Sequence, residues 1–432
     1  MRRTVKQFNI SNVELFKTQL LKWSNQFQEV VWLDSNGHQN THSQYEAILA
    51  LDAFTSIKTD YTVAFRELKE YQTSINDWIF GYLTYDLKNA VEDLESKNFD
   101  GLSLPDLYFF QPKKLFIIKG TVVEFQYLAM VEDELEPDYK QIKGIEIFDK
   151  QTDQVNPVKI SLRMQKDTYF DHFQKIIDHI NRGDIYEVNF CQEFYGEDAI
   201  IDPLKTFSNL NAISKAPFAC YLKYEHYHLL CASPERFMQR LGNIVISQPI
   251  KGTSKRSKDR EEDARLLEHL QNDPKERSEN VMIVDLVRND LSKIAIKGSV
   301  EVVELCKIYS FMQVHQMIST IAAQIPSDTN SVDAVKSLFP MGSMTGAPKY
   351  TAMKIIEEQE TFKRGLYSGA VGFFDPQGNF DFNVIIRSII YNSKKRYVSF
   401  SVGSAITAKS IPENEYEECL VKAKAMRDVL EN

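Results

Sequence analysis

The sequence has few cysteines, and they follow no pattern that suits a metal site or a disulfide framework. Only five occur among 432 residues, with no CxxC pair and no histidine at metal-ligand spacing. An odd number does not fit a framework of paired disulfides. We therefore interpret all five as reduced residues that fill space, namely Cys191, Cys220, Cys231, Cys306 and Cys419.

The sequence also lacks a long apolar run and an excess of basic charge. No run approaches the roughly 20 residues that a membrane-spanning helix needs. The start, MRRTVKQFNISN, has no apolar segment typical of a secretory signal, so we expect a cytoplasmic protein. The formal net charge is −9 and no basic stripe is visible, which argues against a nucleic-acid partner.

What is present is the composition of a globular enzyme, with 43% hydrophobic and 12% aromatic residues. Between residues 60 and 130, the runs YTVAF, WIFGYLTYD, KLFIIKG and TVVEFQYLAMV predict strands of a mainly antiparallel sheet. Residues 135–158 are polar with a proline near each end, and predict a linker or surface excursion. We therefore distinguish a sheet-rich N-terminal region, 1–134, from a catalytic region, 159–432.

Regular elements alternate in the second region. Apolar spacing predicts a helix over residues 167–182, with Asp167 as N-cap and Gly183 as its end. A last helix is expected from about Glu413. Further helices are predicted at SKDREEDARLLEHLQ, ERSENVMIVDLVRNDL, VDAVKSLF and YTAMKIIEEQE, and strands at NIVISQPI, GAVGFFD, FDFNVIIRSIIY and YVSFSVG.

One lysine and two pairs of glutamates are the candidate functional groups. Lys251 lies in the run QPIKGT, where burial would lower its pKa and leave a neutral, nucleophilic amine. For an isolated KGT segment, a surface lysine is the alternative. Glutamates three residues apart share one helical face. Taken alone, each pair is a solvated surface; the pairs are Glu276 with Glu279 and Glu415 with Glu418.

Six blocks follow one another between residues 165 and 430: SPERF, KERSENVMIVDLVRNDL, FPMGSMTGAPK, RGLYSGAVGFF, NVIIRS and IPENEYEECLVKAKAM. In order and spacing they resemble the chorismate-utilising enzymes. WLDSNG, GYLTYDL and LPDLYFF extend the resemblance more loosely into the N-terminal region. The resemblance implies an α+β fold, with two stacked, mainly antiparallel sheets, helices outside and an active site between the sheets.

The resemblance also implies a magnesium site and a substrate cradle. Glu279 and Glu418 resemble direct Mg²⁺ ligands, and Glu276 and Glu415 resemble an outer shell. Magnesium prefers hard oxygens and often bridges to a substrate anion, here the ring carboxylate of chorismate. The residues that match substrate-binding positions of the family are Thr253, Ser343, Tyr367, Arg387, Gly403 and Ala405. Without the family, Tyr367 and Gly403 would be interpreted as a packing pair between strands.

Three positions differ between branches of the family. Lys251 resembles the branch that aminates chorismate, because anthranilate-forming relatives carry alanine there. Glu187 occupies the position of a water-activating lysine in isochorismate-forming and salicylate-forming relatives. Gln316 aligns with a histidine of many relatives; His315 is one residue earlier, which on a helix displaces it by about 100°. We therefore expect no imidazole for pyruvate elimination.

The resemblance implies that Lys251 attacks C2 of chorismate while Glu235 protonates the departing 4-hydroxyl. Ammonia would then add at C4 and expel the lysine, giving 4-amino-4-deoxychorismate on the route to p-aminobenzoate and folate. No glutaminase signature is visible, so ammonia is expected from a separate glutaminase subunit or from free ammonium. Three alternatives stay open: an anthranilate-forming enzyme, a non-catalytic relative that binds tryptophan near Ser35, and a structural ion pair of Glu235 with Arg236 or another cation.

Overall fold

The computed structural model describes residues 2–38, 45–147, 157–312 and 314–431. The strands are β1 (Arg3–Asn9), β2 (Glu29–Asp34), β3 (Ala47–Thr59), β4 (Ile79–Leu83), β5 (Leu107–Lys119), β6 (Val122–Leu128), β7 (Ser161–Leu162), β8 (Glu187–Gly196), β9 (Phe218–Tyr224), β10 (Tyr227–Ser233), β11 (Arg236–Leu241), β12 (Ile244–Gln248), β13 (Ile250–Lys255), β14 (Glu301–Ser310), β15 (Val314–Gln324), β16 (Gly346–Ala347), β17 (Ala370–Phe374), β18 (Phe380–Val384), β19 (Ser388–Asn392) and β20 (Tyr397–Thr407).

The α-helices are α1 (Val13–Ser24), α2 (Ala64–Ile75), α3 (Leu135–Lys143), α4 (Lys166–Arg182), α5 (Pro203–Ser214), α6 (Arg260–Asn272), α7 (Pro274–Ser292), α8 (Ser331–Leu338), α9 (Lys349–Gln359) and α10 (Pro412–Glu431). Short 3₁₀ helices cover Tyr85–Ala90, Ala129–Glu134 and Gly342–Met344. Among the described residues, no helix combines the length and the apolar character that crossing a bilayer requires.

The strands form two antiparallel sheets that share the long strand β5. The first sheet runs β1-β6-β5-β3-β2-β9-β10-β19-β20-β8. The second runs β5-β4-β17-β18-β11-β12-β15, and β13 and β14 both pair with β15. In each sheet the strands that precede residue 135 form one block and those that follow it form another, and the blocks join by the pairing of β2 with β9 and of β4 with β17. The predicted α+β class with two stacked, mainly antiparallel sheets is confirmed.

One hydrophobic core fills the space between the sheets. It contains Leu222 and Leu229 of the first sheet and Met238 and Phe382 of the second. A second core lies on the outer face of the first sheet, where α1, α3, α5 and α10 pack; its helical members include Leu20, Ile142, Leu210 and Met426. Full burial of each such side chain contributes about 1.5–3 kcal/mol, so both cores stabilise the packing against the sheets.

Several local predictions can be compared directly with the structure. Helix α4 ends at Gly183, whose φ of 82° gives the expected left-handed cap. The N-cap prediction was wrong, because Gln165 occupies that position without a capping side chain and Asp167 lies in the first turn. Residues 135–143 of the expected linker form α3, with Leu135 and Ile142 buried. Residues 148–156 of that segment lie outside the described residues.

Two predicted strands were also wrong. Helix α2 begins within the run YTVAF, because Phe65 and Leu68 repeat at helical spacing and are buried. The run FDFNVIIRSIIY is interrupted between Val384 and Ser388, where the chain leaves the second sheet and enters the first. Arg387 has a left-handed φ of 52° at this crossing. The interruption therefore places Arg387 at the junction of the two sheets.

Candidate functional site

A cavity of about 570 Å³ opens where the two sheets meet. It lies at two chain crossings, β10 to β11 and β18 to β19, which are tied by hydrogen bonds from Val384 N to Glu235 O (3.0 Å) and from Ala232 N to Arg387 O (3.2 Å). All but two of the candidate residues line its wall: Glu235, Lys251, Thr253, Glu276, Glu279, Gln316, Ser343, Tyr367, Arg387, Gly403, Ala405, Glu415 and Glu418. The exceptions are Glu187 and Ser35.

Lys251 reaches the cavity from a bulge in β13. The pairing of β13 with β15 shifts register between Ile250 and Thr253, and Gly252 has a φ of 90°. A Cβ at Gly252 would lie 3.1 Å from Glu276 Oε2, so glycine allows α7 to approach this strand. Such bulges re-aim side chains beside active sites.

The expectation that Lys251 is neutral was wrong. Its Nζ lies 2.5 Å from Oε1 of Glu187, which is 2% exposed. Burial lowers the pKa of Lys251, but Glu187, Glu279 and Glu235 together outweigh burial, so the pKa is raised. The segment around Lys251 is apolar, yet its partner comes from 64 residues earlier in the chain. Lys251 is therefore an ammonium paired with a buried carboxylate.

Glu235 is a buried acid. Ser343 Oγ donates to its Oε1 at 2.6 Å, and burial raises its pKa to about 7. The alternative ion pair with Arg236 does not form, because that guanidinium binds both carboxylate oxygens of Asp381, at 2.9 and 3.1 Å. With its pKa raised towards neutral, Glu235 can carry a proton near neutral pH and can act as a proton donor to a group in the cavity.

Arg387 and Tyr367 lie on one side of the cavity. Within the described parts of the chain, the guanidinium of Arg387 makes no hydrogen bond or ion pair to another side chain, and burial lowers its pKa. A partly buried cation without a counter-ion is suited to an anionic ligand. Tyr367 is 3% exposed, and its hydroxyl has the Cys191 thiol 3.9 Å away.

Thr253, Gly403 and Ala405 all line the cavity, and the contacts of Thr253 and Gly403 explain their positions. Thr253 pairs with Gln316 across β13 and β15. A Cβ at Gly403 would meet Cys191 Sγ at 2.6 Å and Phe190 O at 3.1 Å, so glycine is needed for packing against β8. The packing interpretation of Gly403 therefore holds alongside its position on the cavity wall.

The four glutamates face one another across α7 and α10. Glu279 and Glu415 are buried, and Glu279 Oε1 and Glu415 Oε2 have no hydrogen-bond partner. Burial is the main cause that raises the pKa of Glu279 to about 7. In the described parts of the chain, no three His, Cys, Asp or Glu side chains converge closely enough to ligate an ion as they stand.

A cation nevertheless already lies among these carboxylates. Lys275 Nζ is 3.5 Å from Glu415 Oε1 and 3.8 Å from Glu279 Oε1. Burial lowers the pKa of Lys275, but the four glutamates outweigh burial and raise it. Hard carboxylate oxygens that surround a cation and lack hydrogen bonds fit a magnesium ion. The cluster is therefore suited to Mg²⁺ once its side chains close around the ion.

Gln316 faces the cavity, whereas its neighbour His315 does not. Both lie on strand β15, so the expected helical displacement of about 100° was wrong, and adjacent side chains point to opposite faces. His315 is bound on the far face by Ser310 Oγ (2.8 Å) and Asp263 Oδ1 (3.2 Å). No imidazole of the described residues lines the cavity, where Gln316 presents a neutral amide.

The sequence was compared with families of known proteins. A family model for chorismate binding enzymes matches residues 26–428. This chain belongs to the chorismate binding enzyme family.

Relatives in the family carry more than one name. A probable chloroplastic aminodeoxychorismate synthase of Oryza sativa is 41% identical over 280 residues, which is 64% of this chain and 31% of that protein. An anthranilate synthase component I-like protein of Synechocystis is 33% identical over 85% of this chain and 75% of its own length. Anthranilate synthase component I of Streptococcus pneumoniae superimposes with a TM-score of 0.80 at 24% identity, covering 90% of this chain and 93% of its own. Membership of the family shows that this chain is a chorismate-utilising enzyme. The relatives' names do not agree on the reaction, so the reaction has to be inferred from the residues of the site.

Two residues that line or support this cavity, Lys275 and Arg364, were missed in the sequence. Lys275 belongs to the same KERSEN block as Glu276 and Glu279. Its i,i+4 spacing to Glu279 could have predicted that the two side chains lie together on one helical face. Buried Arg364 donates to Met344 O (2.6 Å), Asn189 O (2.7 Å) and Glu360, and so ties the Ser343 turn to β8. Nothing local in RGLYSG indicates these distant partners.

Ser35 lies in a different cavity of about 40 Å³. Its lining includes Asp34, His38, Phe218 and Asn383, from the first sheet and its junction with the second. Ser35 is therefore not part of the cavity that contains Lys251.

Proposed function

We propose that this chain is an aminodeoxychorismate synthase component I, which converts chorismate and ammonia to 4-amino-4-deoxychorismate for p-aminobenzoate and folate synthesis. The observation that carries this proposal is the placement of Lys251 in one cavity with Glu235, an acid of pKa about 7. A nucleophile and a proton donor facing the same space suit a displacement in which a hydroxyl departs.

Arg387 and the glutamate cluster supply complementary charge for the two chorismate carboxylates. In this proposal, the Arg387 guanidinium binds the enolpyruvyl carboxylate, with Tyr367 beside it. Glu279 and Glu418 would hold Mg²⁺ directly, and Glu276 and Glu415 would support them. The bound ion would neutralise the ring carboxylate and orient the ring. Thr253 and Ala405 would shape the opposite wall.

The charged state of Lys251 requires a proton acceptor before it can attack. Glu187 is that acceptor in our proposal, because its Oε1 lies 2.5 Å from Nζ. The neutral amine then forms a bond to C2, the ring double bonds shift, and the 4-hydroxyl leaves as water with the proton of Glu235. Ammonia bonds to C4 and returns a proton to Glu235, while the Lys251 amine departs and recovers its proton from Glu187.

Gln316 favours termination at the aminated product. Elimination of pyruvate to give anthranilate needs a further proton transfer, and the amide of Gln316 does not titrate. A non-catalytic tryptophan-binding relative is the other alternative, and the cavity at Ser35 would be its binding site. In such a protein, the pairing of Lys251 with Glu187 and the unpaired Arg387 would have no role.

Ammonia must be generated outside this cavity. The five cysteines are buried, and burial raises the pKa of each thiol, to about 11 for Cys231 and about 12 for Cys419. None therefore suits a glutamine-attacking nucleophile, which needs an accessible thiolate. Because relatives are named component 1, we propose a separate glutaminase subunit as the ammonia source.

The product tests the proposal. Incubation with chorismate, Mg²⁺ and ammonium should yield 4-amino-4-deoxychorismate, identified by mass and chromatography, with little anthranilate and no isochorismate. Anthranilate as the main product, detected by its fluorescence, would instead assign the chain to the anthranilate-forming branch. Absence of turnover together with tight tryptophan binding would favour the non-catalytic alternative.

Glu187→Gln tests the proton acceptor. The amide keeps a hydrogen bond to Lys251 but accepts no proton, so we expect kcat for amination to fall by about 10²–10⁴, the usual contribution of a positioned base. KM for chorismate should change little. The remaining activity should rise with pH, because Lys251 must then lose its proton to water. Rates are measured at constant free ammonia between pH 6 and 10.

Glu193→Gln is the matched control for this variant. Glu193 is buried on the same strand and pairs with Arg163 at 2.9 Å, away from the cavity. Its pH profile should match that of the wild type. If Glu187 only holds Lys251 in its charged state, Glu187→Gln would be as active as the wild type or more active.

A further inference from the structure

Lys275 occupies the centre of the glutamate cluster. It lies in the first turn of α7, and its ammonium bridges Glu279 on the same helix and Glu415 on α10. The separations of 3.8 and 3.5 Å exceed the 2.7–2.9 Å typical of charge-assisted hydrogen bonds. The ammonium is therefore held by charge and not by a fixed donor geometry.

The Lys275 side chain is much more exposed to solvent than the two carboxylates that it bridges. The Lys275 side chain is 48% exposed, whereas those of Glu279 and Glu415 are 9% and 3% exposed. A half-exposed lysine can swing its hydrated head into solvent on a flexible stem. The two carboxylates stay buried, and without any cation they would repel each other and be poorly solvated. The cluster thus needs a positive charge, and Lys275 is able to leave.

Two other cations of the cavity already have carboxylate partners. Lys251 pairs with Glu187, and Lys422 pairs with the outermost glutamate, Glu418, and donates to Gly403 O at 2.7 Å. In the described part of the chain, Lys275 is the cation that links the buried carboxylates of α7 and α10.

We propose that Lys275 is a built-in counter-ion that stabilises the glutamate cluster in the metal-free protein and is displaced into solvent when Mg²⁺ binds. This inference rests on the proposed metal site. Because the ammonium and the metal compete for the same carboxylates, Lys275 weakens metal binding. In the metal-free protein it also neutralises the buried carboxylates of Glu279 and Glu415.

Calorimetric titration of the chorismate-free protein with Mg²⁺ tests this exchange. We expect Lys275→Met to lower the Kd for Mg²⁺ by about tenfold, the scale of one to two partly exposed ion pairs. Lys275→Arg keeps the competing charge and should retain the wild-type Kd within about threefold. Lys293→Met is the control, because Lys293 is 53% exposed at the opposite, C-terminal end of α7 and pairs with Asp290.

Thermal unfolding supplies a second measurement that does not depend on turnover. Metal-free Lys275→Met should unfold at a lower temperature than the wild type, and saturating Mg²⁺ should remove the difference. Lys293→Met should show no metal-dependent difference. Equal or weaker Mg²⁺ binding by a folded Lys275→Met would overturn the exchange while leaving the metal site intact. Failure of the wild type to bind Mg²⁺ at all would overturn both the exchange and the proposed metal site.

Discussion

Replacing Lys251 with alanine should reduce amination by at least about a thousandfold, or about 4 kcal/mol of transition-state stabilisation, while chorismate binding stays nearly intact. The reason is that Lys251 is expected to form the covalent bond, whereas Arg387 and the metal cluster bind the carboxylates. The Lys251–Glu187 pair is neutral as a unit, so a variant that neutralises both members, Lys251→Ala with Glu187→Gln, removes no net attraction for the substrate. Equilibrium binding of chorismate and steady-state kcat separate the two effects.

Two further variants make the lysine experiment interpretable. Lys251→Ala leaves Glu187 as a buried carboxylate without its cation, which destabilises proteins by about 3–5 kcal/mol. The double variant Lys251→Ala, Glu187→Gln removes that charge and should recover thermal stability but no activity. Lys251→Arg keeps the charge but supplies no neutral amine, and should be as inactive as alanine. A fully active arginine variant would reduce Lys251 to an electrostatic role.

Glu279→Gln should abolish Mg²⁺ binding and lower turnover by at least about a hundredfold, since a catalytic metal contributes several kcal/mol of charge stabilisation. Glu279 is buried, and one of its carboxylate oxygens has no hydrogen-bond partner. This oxygen can bind the metal once the Lys275 ammonium has moved away. Calorimetry with Mg²⁺ and turnover at saturating Mg²⁺ are measured together.

Glu418→Gln should act in the same direction but more weakly, because Glu418 is half exposed and already paired with Lys422 at 2.6 Å. Glu413→Gln, an exposed change in the first turn of the same helix, is the control and should behave as the wild type. Full activity of Glu279→Gln, or of the wild type in EDTA, would show that the glutamates are only a charged surface.

Local sequence signals predicted much of the helical structure. Helix α4 was predicted because its apolar residues repeat at helical spacing, and it ends at Gly183 because glycine adopts the left-handed cap. The predictions failed where tertiary context decides. VHQMIS became a central strand because β12, β13 and β14 all pair with it. Arg387 interrupts a strand run because the chain changes sheets there.

The candidate site was predicted in its membership but not in its electrostatics. The family resemblance selected residues that, with the exception of Glu187 and Ser35, come to line one cavity. The charge of Lys251 depends on Glu187, which lies on β8 of the first sheet, whereas Lys251 lies on β13 of the second, so only the packing of the two sheets brings the residues together. Likewise, the acid character of Glu235 follows from burial and from Arg236 turning to Asp381. Such long-range contacts have no local signature.

The most direct test of the covalent role of Lys251 is intact-protein mass spectrometry of the enzyme with chorismate and Mg²⁺ but without ammonia. The account predicts an added mass equal to chorismate minus water, located on Lys251 by peptide mapping, which disappears when ammonium is supplied. Lys251→Ala and Lys251→Arg should show no addition. An unmodified wild-type protein that still forms 4-amino-4-deoxychorismate when ammonium is added would contradict the covalent mechanism.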